Sequence, residues 1–518
     1  MKVGILDVVT PEAPRRWSRK SVGRFLMSKQ LVGIVPQAIA VWCRQMAHQV
    51  YYATYFGQTD PKRLLPADLD VVFISSYTQA SALAYALAKL YRKDGTLTVL
   101  GGPHAKSFPR DSLRFFDLVV RECDRTLVAD ILGGCFDPGT IISSGRALTD
   151  IPSVEERMPE IRASAFVRGR PYLSTTIPML SSVGCPYGCN FCIDWDNPYI
   201  LLPLDRLEAD LRYLATTLPG VRIGFHDPNF GVKFDQALTV LESIPEESRS
   251  PYAMESTLSL LRGPRLQRLK DSNCIYLAPG VESWGGFSNK LGTGKTSGLQ
   301  KVDQVVKHFE LIHEYVPGLG ANFIFGLDED EGDEPVELTK DFMTRTPFVW
   351  PYFNIPVPYG GTPFHEQYLR EGRTLTAMPL TFYYAPHLVI TLKHYSPIAY
   401  YEKLIELTAH AATWPLFWRR LRSTPNWPVR ALMTLRQLGA PNNIKEIRRI
   451  LNMLTTDSQF RAFHEGKSQM LPEFYHHEYS RMLGPYASLL SRADATPDLS
   501  PAAALPKRAQ ESVTVETV

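Results

Sequence analysis

Short apolar runs alternate with amphipathic stretches through the first 140 positions of the chain. Val3–Val8 predicts a strand, and Pro36–His48 an apolar-periodic helix opened by proline. Val50–Phe56 predicts a second strand. Asp70–Ser75 (Asp-Val-Val-Phe-Ile-Ser) reads as a strand buried on both faces. Ala80–Tyr91 is an Ala/Leu-rich helix, Thr96–Leu100 a strand running into Gly101-Gly102-Pro103-His104, and Asp117–Arg121 another strand. This alternation predicts an α/β domain over 1–140 with a doubly wound, Rossmann-like parallel sheet. Such sheets bind ligands beyond the carboxyl ends of their strands, which places Ser75, Gly101, Gly102 and His104 at the candidate crevice.

Prolines 138, 152, 159 and 171 mark residues 141–174 as a linker. From 175 to 372 the pattern becomes short strands with room for helices between them: Thr176–Val183, Val221–His226, Tyr252–Ser256, Ile275–Val281, Ala321–Phe325 and Tyr352–Pro356. Leu204–Thr217, with Leu207, Leu211 and Leu214 on one face, is the first intervening helix. This rhythm predicts a partial (β/α)6 barrel related to the TIM barrel, with its chemistry at the strands' carboxyl ends. Residues 373–492 turn helical and aromatic, with helices expected at Tyr395–Leu407, Ile444–Leu454 and Pro472–Leu490. Within them, the run Trp414–Arg422 mixes tryptophans and arginines. It fits a membrane surface or a helix whose arginines snorkel over their own core. Prolines 415, 425 and 428 favour the second reading by interrupting a long amphipathic face. Residues 493–518 are Pro/Ala/Thr/Glu-rich and expected to be disordered.

Composition narrows the class without naming the chemistry. Of 518 residues 44% are hydrophobic and 21% charged, as in an ordinary soluble protein, and the net charge of +3 makes no case for nucleic acid. The start reads as a strand rather than a signal peptide, and no run of 18 apolar residues occurs. Seven cysteines, three of them clustered, fit a reducing cytoplasm. Arg15–Lys20 is a basic patch compatible with a phosphate-bearing substrate. Leu291-Gly-Thr-Gly294-Lys295-Thr296 imitates a phosphate-binding loop, but Asn289 stands where that loop needs its first glycine.

The cluster carries the chemistry. Cys185, Cys189 and Cys192 are spaced C-x3-C-x2-C with no fourth cysteine nearby. A structural zinc site takes four ligands, and the nearest downstream histidine, His226, is too distant for a compact knuckle. A four-iron cluster takes a ligand on each iron, so three thiolates leave one iron open. With Phe191 just before the third cysteine, this loop resembles that of the radical S-adenosylmethionine (SAM) enzymes. The resemblance implies a [4Fe–4S] cluster whose open iron chelates SAM and whose electron cleaves it to a 5′-deoxyadenosyl radical. Further strand ends resemble the same family: His226-Asp227-Pro-Asn229-Phe230, Gly280-Val-Glu282-Ser283, Asn322-Phe-Ile-Phe-Gly326 and Pro358-Tyr-Gly-Gly-Thr-Pro363. By that resemblance Phe191, Asp227, Asn229, Glu282, Ser283 and Gly326 are the expected SAM-binding positions.

Val99-Leu-Gly-Gly-Pro-His104 and Asp117-Leu-Val-Val-Arg-Glu122 resemble the cobalamin-binding domain that precedes many radical SAM barrels, although the cobalt-ligating Asp-x-His-x-x-Gly is absent. The resemblance implies methyl transfer to an unactivated carbon of a bulky small molecule such as an isoprenoid, lipid, tetrapyrrole or natural-product scaffold. It also implies an electron donor such as flavodoxin or ferredoxin. Two alternatives stay open: a radical SAM cyclase, oxidase or rearrangement enzyme without functional cobalamin, and a non-enzymatic iron–sulfur or cobalamin sensor. A tRNA methylthiotransferase is disfavoured, because Cys43, Cys123 and Cys135 lack the arrangement of extra cluster ligands.

Overall fold

Six parallel strands form the first layer of the computed structural model: β1 Lys2–Val8, β2 Gln49–Tyr55, β3 Val71–Ser76, β4 Leu97–Gly101, β5 Leu118–Val120 and β6 Thr140–Ile142. The structure describes residues 1–14, 29–172, 174–287, 291–292 and 296–500. The basic Arg15–Lys20 stretch and the Gly294-Lys295 turn lie outside these residues. Successive side chains of a strand face opposite ways, and the sheet uses both faces. Val3, Ile5, Val71, Phe73 and Val99 pack on one side with the helix Ile34–Gln45. Leu6, Val8, Val72, Ile74 and Leu100 pack on the other and join the main core. The strand order β2-β1-β3-β4-β5-β6 puts the switch of winding direction between β1 and β3.

The expected linker is more ordered than its prolines suggested. β6 falls across the expected boundary at 140 and pairs with β5. Met158–Ala165 is a helix, with Pro159 tolerated in its first turn. The buried Arg157 guanidinium stitches the layers together, donating to Gln37 Oε1 (2.7 Å) and to the Pro178 carbonyl (3.3 Å). Likewise, 493–500 is not a loose tail. Arg492–Ala495 is a helix with a capping box, Asp494 pairs with Lys89 at 2.7 Å, and Arg114 donates to the Thr496 carbonyl.

The barrel strands are β7 Thr176–Met179, β10 Arg222–Phe225, β11 Tyr252–Met254, β12 Cys274–Leu277 with β13 Gly280–Glu282, β14 Gly318–Ile324 and β15 Val349–Asn354. A small antiparallel pair, β8 Ser182–Val183 and β9 Ile200–Leu201, brackets the cysteine loop. β12 and β13 are two halves of one strand beside β14, broken at Ala278-Pro279, where proline has no N–H to give the ladder. The barrel is open between β7 and β15, which among the described residues pair only with β10 and β14 respectively.

Beyond the barrel, Pro397–Ala411 packs against a 30-residue helix, Trp427–Thr456, which absorbs the expected Ile444–Leu454 segment. Trp414–Ser423 is a separate helix. Pro415 and Pro428 stand in first turns, so they open two helices rather than break one amphipathic face. No helix among the described residues is long and apolar enough to cross a membrane.

The carboxyl ends of the two parallel layers face each other. A Cβ on Gly360, in the turn after β15, would collide with the Ser107 carbonyl beyond β4. The Phe108 ring meets His365 and Tyr383 edge-on, at 5.9 and 5.6 Å. The Thr381 hydroxyl donates to the Gln79 carbonyl beyond β3 (2.6 Å).

Candidate functional site

The cysteine loop leaves the β8 end through Gly184, whose φ of +69° suits glycine and whose added Cβ would collide with the Pro198 carbonyl. Its neck is closed by the Cys185 N–H donating to the Asn197 carbonyl (3.1 Å). Inside, Cys192 N–H donates to Cys189 O (3.0 Å) and Trp195 N–H to Cys192 O (3.1 Å). The three cysteines are half-buried. Among the described residues no three Cys, His, Asp or Glu side chains converge as a single-ion site would require. A cluster of four irons takes a ligand on each iron, so three thiolates spread over one loop would hold three irons and leave the fourth open, and this loop provides those three. Lys106, from the turn after β4, reaches Asp194 (3.8 Å) and Asp196 (3.6 Å) of the loop.

Beside the loop, at the carboxyl ends of β13, β14 and β15, lies a cavity of about 270 Å³. Phe191, Glu282, Ile324, Leu327, Asn354 and Phe364 line it. Phe191 stacks on Phe287 at 5.2 Å, and the Phe364 N–H donates to the Asn190 carbonyl (3.0 Å), which ties the loop to the barrel rim. Glu282 is buried and holds a left-handed backbone (φ +64°), uncommon for a side chain of this kind and a feature that concentrates at functional sites. A Cβ on Gly280 would collide with Glu282 Oε1, so glycine is required for the carboxylate to fold back over its own strand. Behind it, buried Lys301 donates to the carbonyls of Ser283 (2.8 Å) and Gly285 (2.5 Å), and burial lowers its pKa.

Asn229 accepts from the Thr257 N–H through Oδ1 (3.2 Å), while its Nδ2 is buried without a partner. Ser256 Oγ, after β11, is similarly orphaned. Both lie beyond strand ends of the same barrel and offer hydrogen bonds that the protein does not satisfy.

Other expected SAM positions take structural roles. Asp227 is fully buried and its carboxylate accepts from the Ser181 N–H (3.0 Å) and from the hydroxyls of Ser181 (2.5 Å) and Ser182 (2.6 Å). Burial raises its pKa and these hydrogen bonds oppose the rise. It anchors the stem of the cysteine loop rather than lining the cavity. Ser283 Oγ accepts from Gly285 N–H (3.0 Å). Gly326 (φ +99°) is required because Tyr400 covers it, with a ring carbon 2.6 Å from where a Cβ would sit. Its N–H bonds to Asp330, whose pKa burial pushes up to about 6.

At the N-terminal crevice, Gly102 (φ +88°) lies close against Ser75 Oγ and the Ser76 backbone, which leaves no room for a side chain. Ser75 and Gly101 are register partners at the ends of β3 and β4. His104 is corrected to a structural residue. It is fully buried, bonded through Nε2 to the Tyr85 hydroxyl (2.6 Å), and burial drives its pKa down to about 3. Sequence reasoning did not single out Asn354, Tyr384 or Ala385 of the cavity wall. Asn354 follows the strand-end rule, whereas Tyr384 and Ala385 come from an irregular segment without periodicity. A second cavity, about 390 Å³, lies between linker and barrel and is lined by Asp150, Arg157, Arg206 and Asp210 among others.

Comparison with known proteins bears on this geometry. Residues 179–342 match the model of the radical SAM superfamily. The chain is 25% identical over 370 residues to bacteriochlorophyllide d C-8(2)-methyltransferase of Chlorobaculum tepidum, covering 67% of this chain and 78% of that protein. It is 28% identical over 285 residues to hopanoid C-3 methylase of Methylococcus capsulatus, covering 51% of each. Among solved structures, the radical SAM methyltransferase TsrM of Kitasatospora setae, with cobalamin and a [4Fe–4S] cluster bound, superposes with a TM-score of 0.55 at 14% identity, over 86% of this chain and 99% of that one. The cobalamin-dependent SAM radical enzyme OxsB, with aqua-cobalamin and SAM bound, gives 0.55 at 11% identity, over 94% and 79%. With the cysteine loop and the strand-end cavity, the match makes residues 179–342 a radical SAM domain, and the enzymes of that superfamily take a [4Fe–4S] cluster and SAM.

Proposed function

We propose that the chain is a cobalamin-dependent radical SAM methyltransferase acting on an unactivated carbon of a bulky, largely apolar small molecule. The observation that carries this reading is the apposition of the two carboxyl edges. Where they meet, three buried polar atoms lack hydrogen-bond partners: Ser107 Oγ from the N-terminal layer, and His365 Nε2 and Tyr383 Oη from across the seam. Buried polar groups without partners are uncommon in folded proteins, and this set fits a polar cofactor held between the layers. Ser75, Gly101 and Gly102 would offer backbone and hydroxyl contacts to cobalamin at the β3 and β4 ends.

On the barrel side Cys185, Cys189 and Cys192 would hold the cluster. Glu282 would accept hydrogen bonds from SAM's amino or ribose hydroxyl groups, and Asn229 Nδ2 would donate to it. When bound, the cluster and SAM supply the radical that removes a substrate hydrogen, and cobalamin supplies the methyl group. The protein's part is orientation and exclusion of water. Phe191 and Phe364 close the cavity against the loop, while Ile324, Leu327, Ile355 and Val357 give it an apolar wall suited to a hydrocarbon or macrocyclic substrate. The bacteriochlorophyllide and hopanoid methylases among the relatives support a tetrapyrrole or polycyclic triterpenoid substrate.

Anaerobic reconstitution followed by iron, sulfide and corrinoid analysis tests the reading. The expected result is a four-iron cluster, one corrinoid per chain, and transfer of a deuterated methyl group from labelled SAM to a tetrapyrrole or triterpenoid acceptor, with a flavodoxin or ferredoxin reductant. SAM cleavage without corrinoid binding would replace it by the cobalamin-independent cyclase or oxidase reading.

A further inference from the structure

Five of the eleven large hydrophobic side chains exposed among the described residues fall between Trp414 and Leu438. They are Trp414 (60% exposed), Trp418 (54%), Trp427 (61%), Leu435 (55%) and Leu438 (64%). Their spacing makes them surfaces rather than scatter. Trp414 and Trp418 are four apart on the helix Trp414–Ser423. Trp427, Ala431, Leu435 and Leu438 follow one face of Trp427–Thr456. The opposite faces are satisfied by the protein: Leu416, Phe417, Val429 and Met433 are buried.

Within this segment the charge has one sign. No Asp or Glu occurs from Leu407 to Lys445. Three of the six Arg/Lys residues there have internal partners: Arg420 is buried over the Trp350 ring (4.8 Å), Arg436 donates to the Tyr276 hydroxyl (2.8 Å), and Arg430, though exposed, donates to the Thr424 carbonyl. Arg419, Arg422, Arg430 and Lys445 are exposed, with no carboxylate partner among the described residues.

We infer that this two-helix face docks on an anionic phospholipid surface. Tryptophan is the side chain most at home at a bilayer interface, and uncompensated arginine and lysine beside it are drawn to anionic headgroups. Each such cation strengthens binding about fivefold near an anionic leaflet. A second copy of the chain is the competing occupant, but a two-fold contact would set this cationic face against itself. The face sits at the amino-terminal end of the barrel: Ser423 O lies 2.9 Å from His313 Nε2 at the end of the helix preceding β14, and Val429 packs beside Gly318 where β14 begins. Docking there leaves the cavity at the opposite end uncovered, so the contact tethers the enzyme without blocking its site. The inference does not depend on cobalamin or on methyl transfer.

The test is co-sedimentation of the full chain with sucrose-loaded vesicles of phosphatidylcholine alone or with about 30% phosphatidylglycerol, at low and at raised salt. Binding is expected only with phosphatidylglycerol and should fall as salt rises. Arg419→Glu/Arg422→Glu/Lys445→Glu should weaken it about a hundredfold or more. Trp414→Ala/Trp418→Ala/Trp427→Ala should weaken it at least about tenfold. Because the altered side chains are exposed, both variants should keep the melting temperature and SAM cleavage in solution. Salt titration of the unaltered protein needs no variant to fold. Absence of binding to anionic vesicles, salt-independent binding, or binding unchanged in both variants would overturn the inference. So would light scattering showing a dimer that the tryptophan variant dissociates.

Discussion

Two parallel layers meet by their carboxyl ends, and they manage their polar groups in opposite ways. In the N-terminal sheet His104, Asp111 and Asp117 are bonded inward, although Ser107 Oγ at the seam has no partner. Tyr85 bridges His104 and Asp111 at 2.6 Å to each, and Asp117 accepts from the N–H and hydroxyl of Thr98. At the ends of β3 and β4 this edge presents backbone, with Gly102 packed so closely on Ser75 and Ser76 that it has no room for a side chain of its own. The barrel brings to its edge three half-buried thiols and a carboxylate that lines a cavity, together with an amide nitrogen and a hydroxyl without partners. On the proposed function, one edge would be approached closely by a large ligand and the other would hold a small one by named groups. His104 at the first edge is consequently structural, whereas at the second Glu282 lines the cavity and Asp227 holds the stem of the cysteine loop.

The sharpest break of that contrast is removal of the thiols. Cys185→Ala/Cys189→Ala/Cys192→Ala should abolish iron-dependent absorbance and 5′-deoxyadenosine formation outright while shifting the melting temperature by only a few degrees, since the loop contributes little to either core. Full SAM cleavage by this variant would remove the cluster assignment. Asp227→Ala probes the same loop indirectly. Unsatisfied buried donors cost about 1–3 kcal/mol each, so losing the acceptor for Ser181 and Ser182 should destabilise the fold and lower iron loading, whereas Asp227→Asn should restore most of both. Equal loss in the two variants would point to a direct role for the charge.

Glu282→Gln sharpens the barrel side. A charge-assisted hydrogen bond contributes roughly 1.5–3 kcal/mol, so SAM affinity should fall about ten- to a hundredfold with iron content unchanged. Calorimetric titration of reconstituted enzyme reads the first and iron analysis the second. Unaltered affinity would take Glu282 out of the site.

Much of this contrast was legible in the sequence, for identifiable reasons. Strand–helix alternation marked both layers, because period-2 burial and amphipathic helices leave their trace in any single chain. The cysteine spacing was legible because its ligand set lies within one loop. The roles of Asp227, Gly326 and His104 were not, because each depends on a distant partner: Ser181, Tyr400 and Tyr85. A strand-end position says which edge a residue occupies, not whether it faces a ligand or its neighbour. The linker misled for a related reason, since proline reads as a breaker yet sits comfortably at the first turn of Met158–Ala165.

The last test separates the two edges by pH. His104 has its proton placed by its neighbours: Tyr85 donates to Asp111 Oδ2, so His104 Nε2–H donates to the Tyr85 oxygen. Burial holds its pKa down to about 3 in the folded protein, against about 6.5 in an unfolded chain. The unfolded state therefore binds the extra proton first, and the stability that neutral His104 contributes is lost as pH falls below about 6.5. At pH 5 the loss from this residue alone approaches about 2 kcal/mol. Asp7, at the end of β1, has the opposite sign: burial raises its pKa to about 6, so acid relieves rather than adds to its cost. His104→Gln keeps a donor toward Tyr85 without a titrating imidazole. It should lower the melting temperature at pH 7.5 but reduce the further drop between pH 7.5 and pH 5, and leave SAM affinity within about twofold. An unchanged drop would show that His104 is reached by solvent. A large loss of SAM affinity would mean that the N-terminal edge acts on the barrel's ligand through its side chains after all.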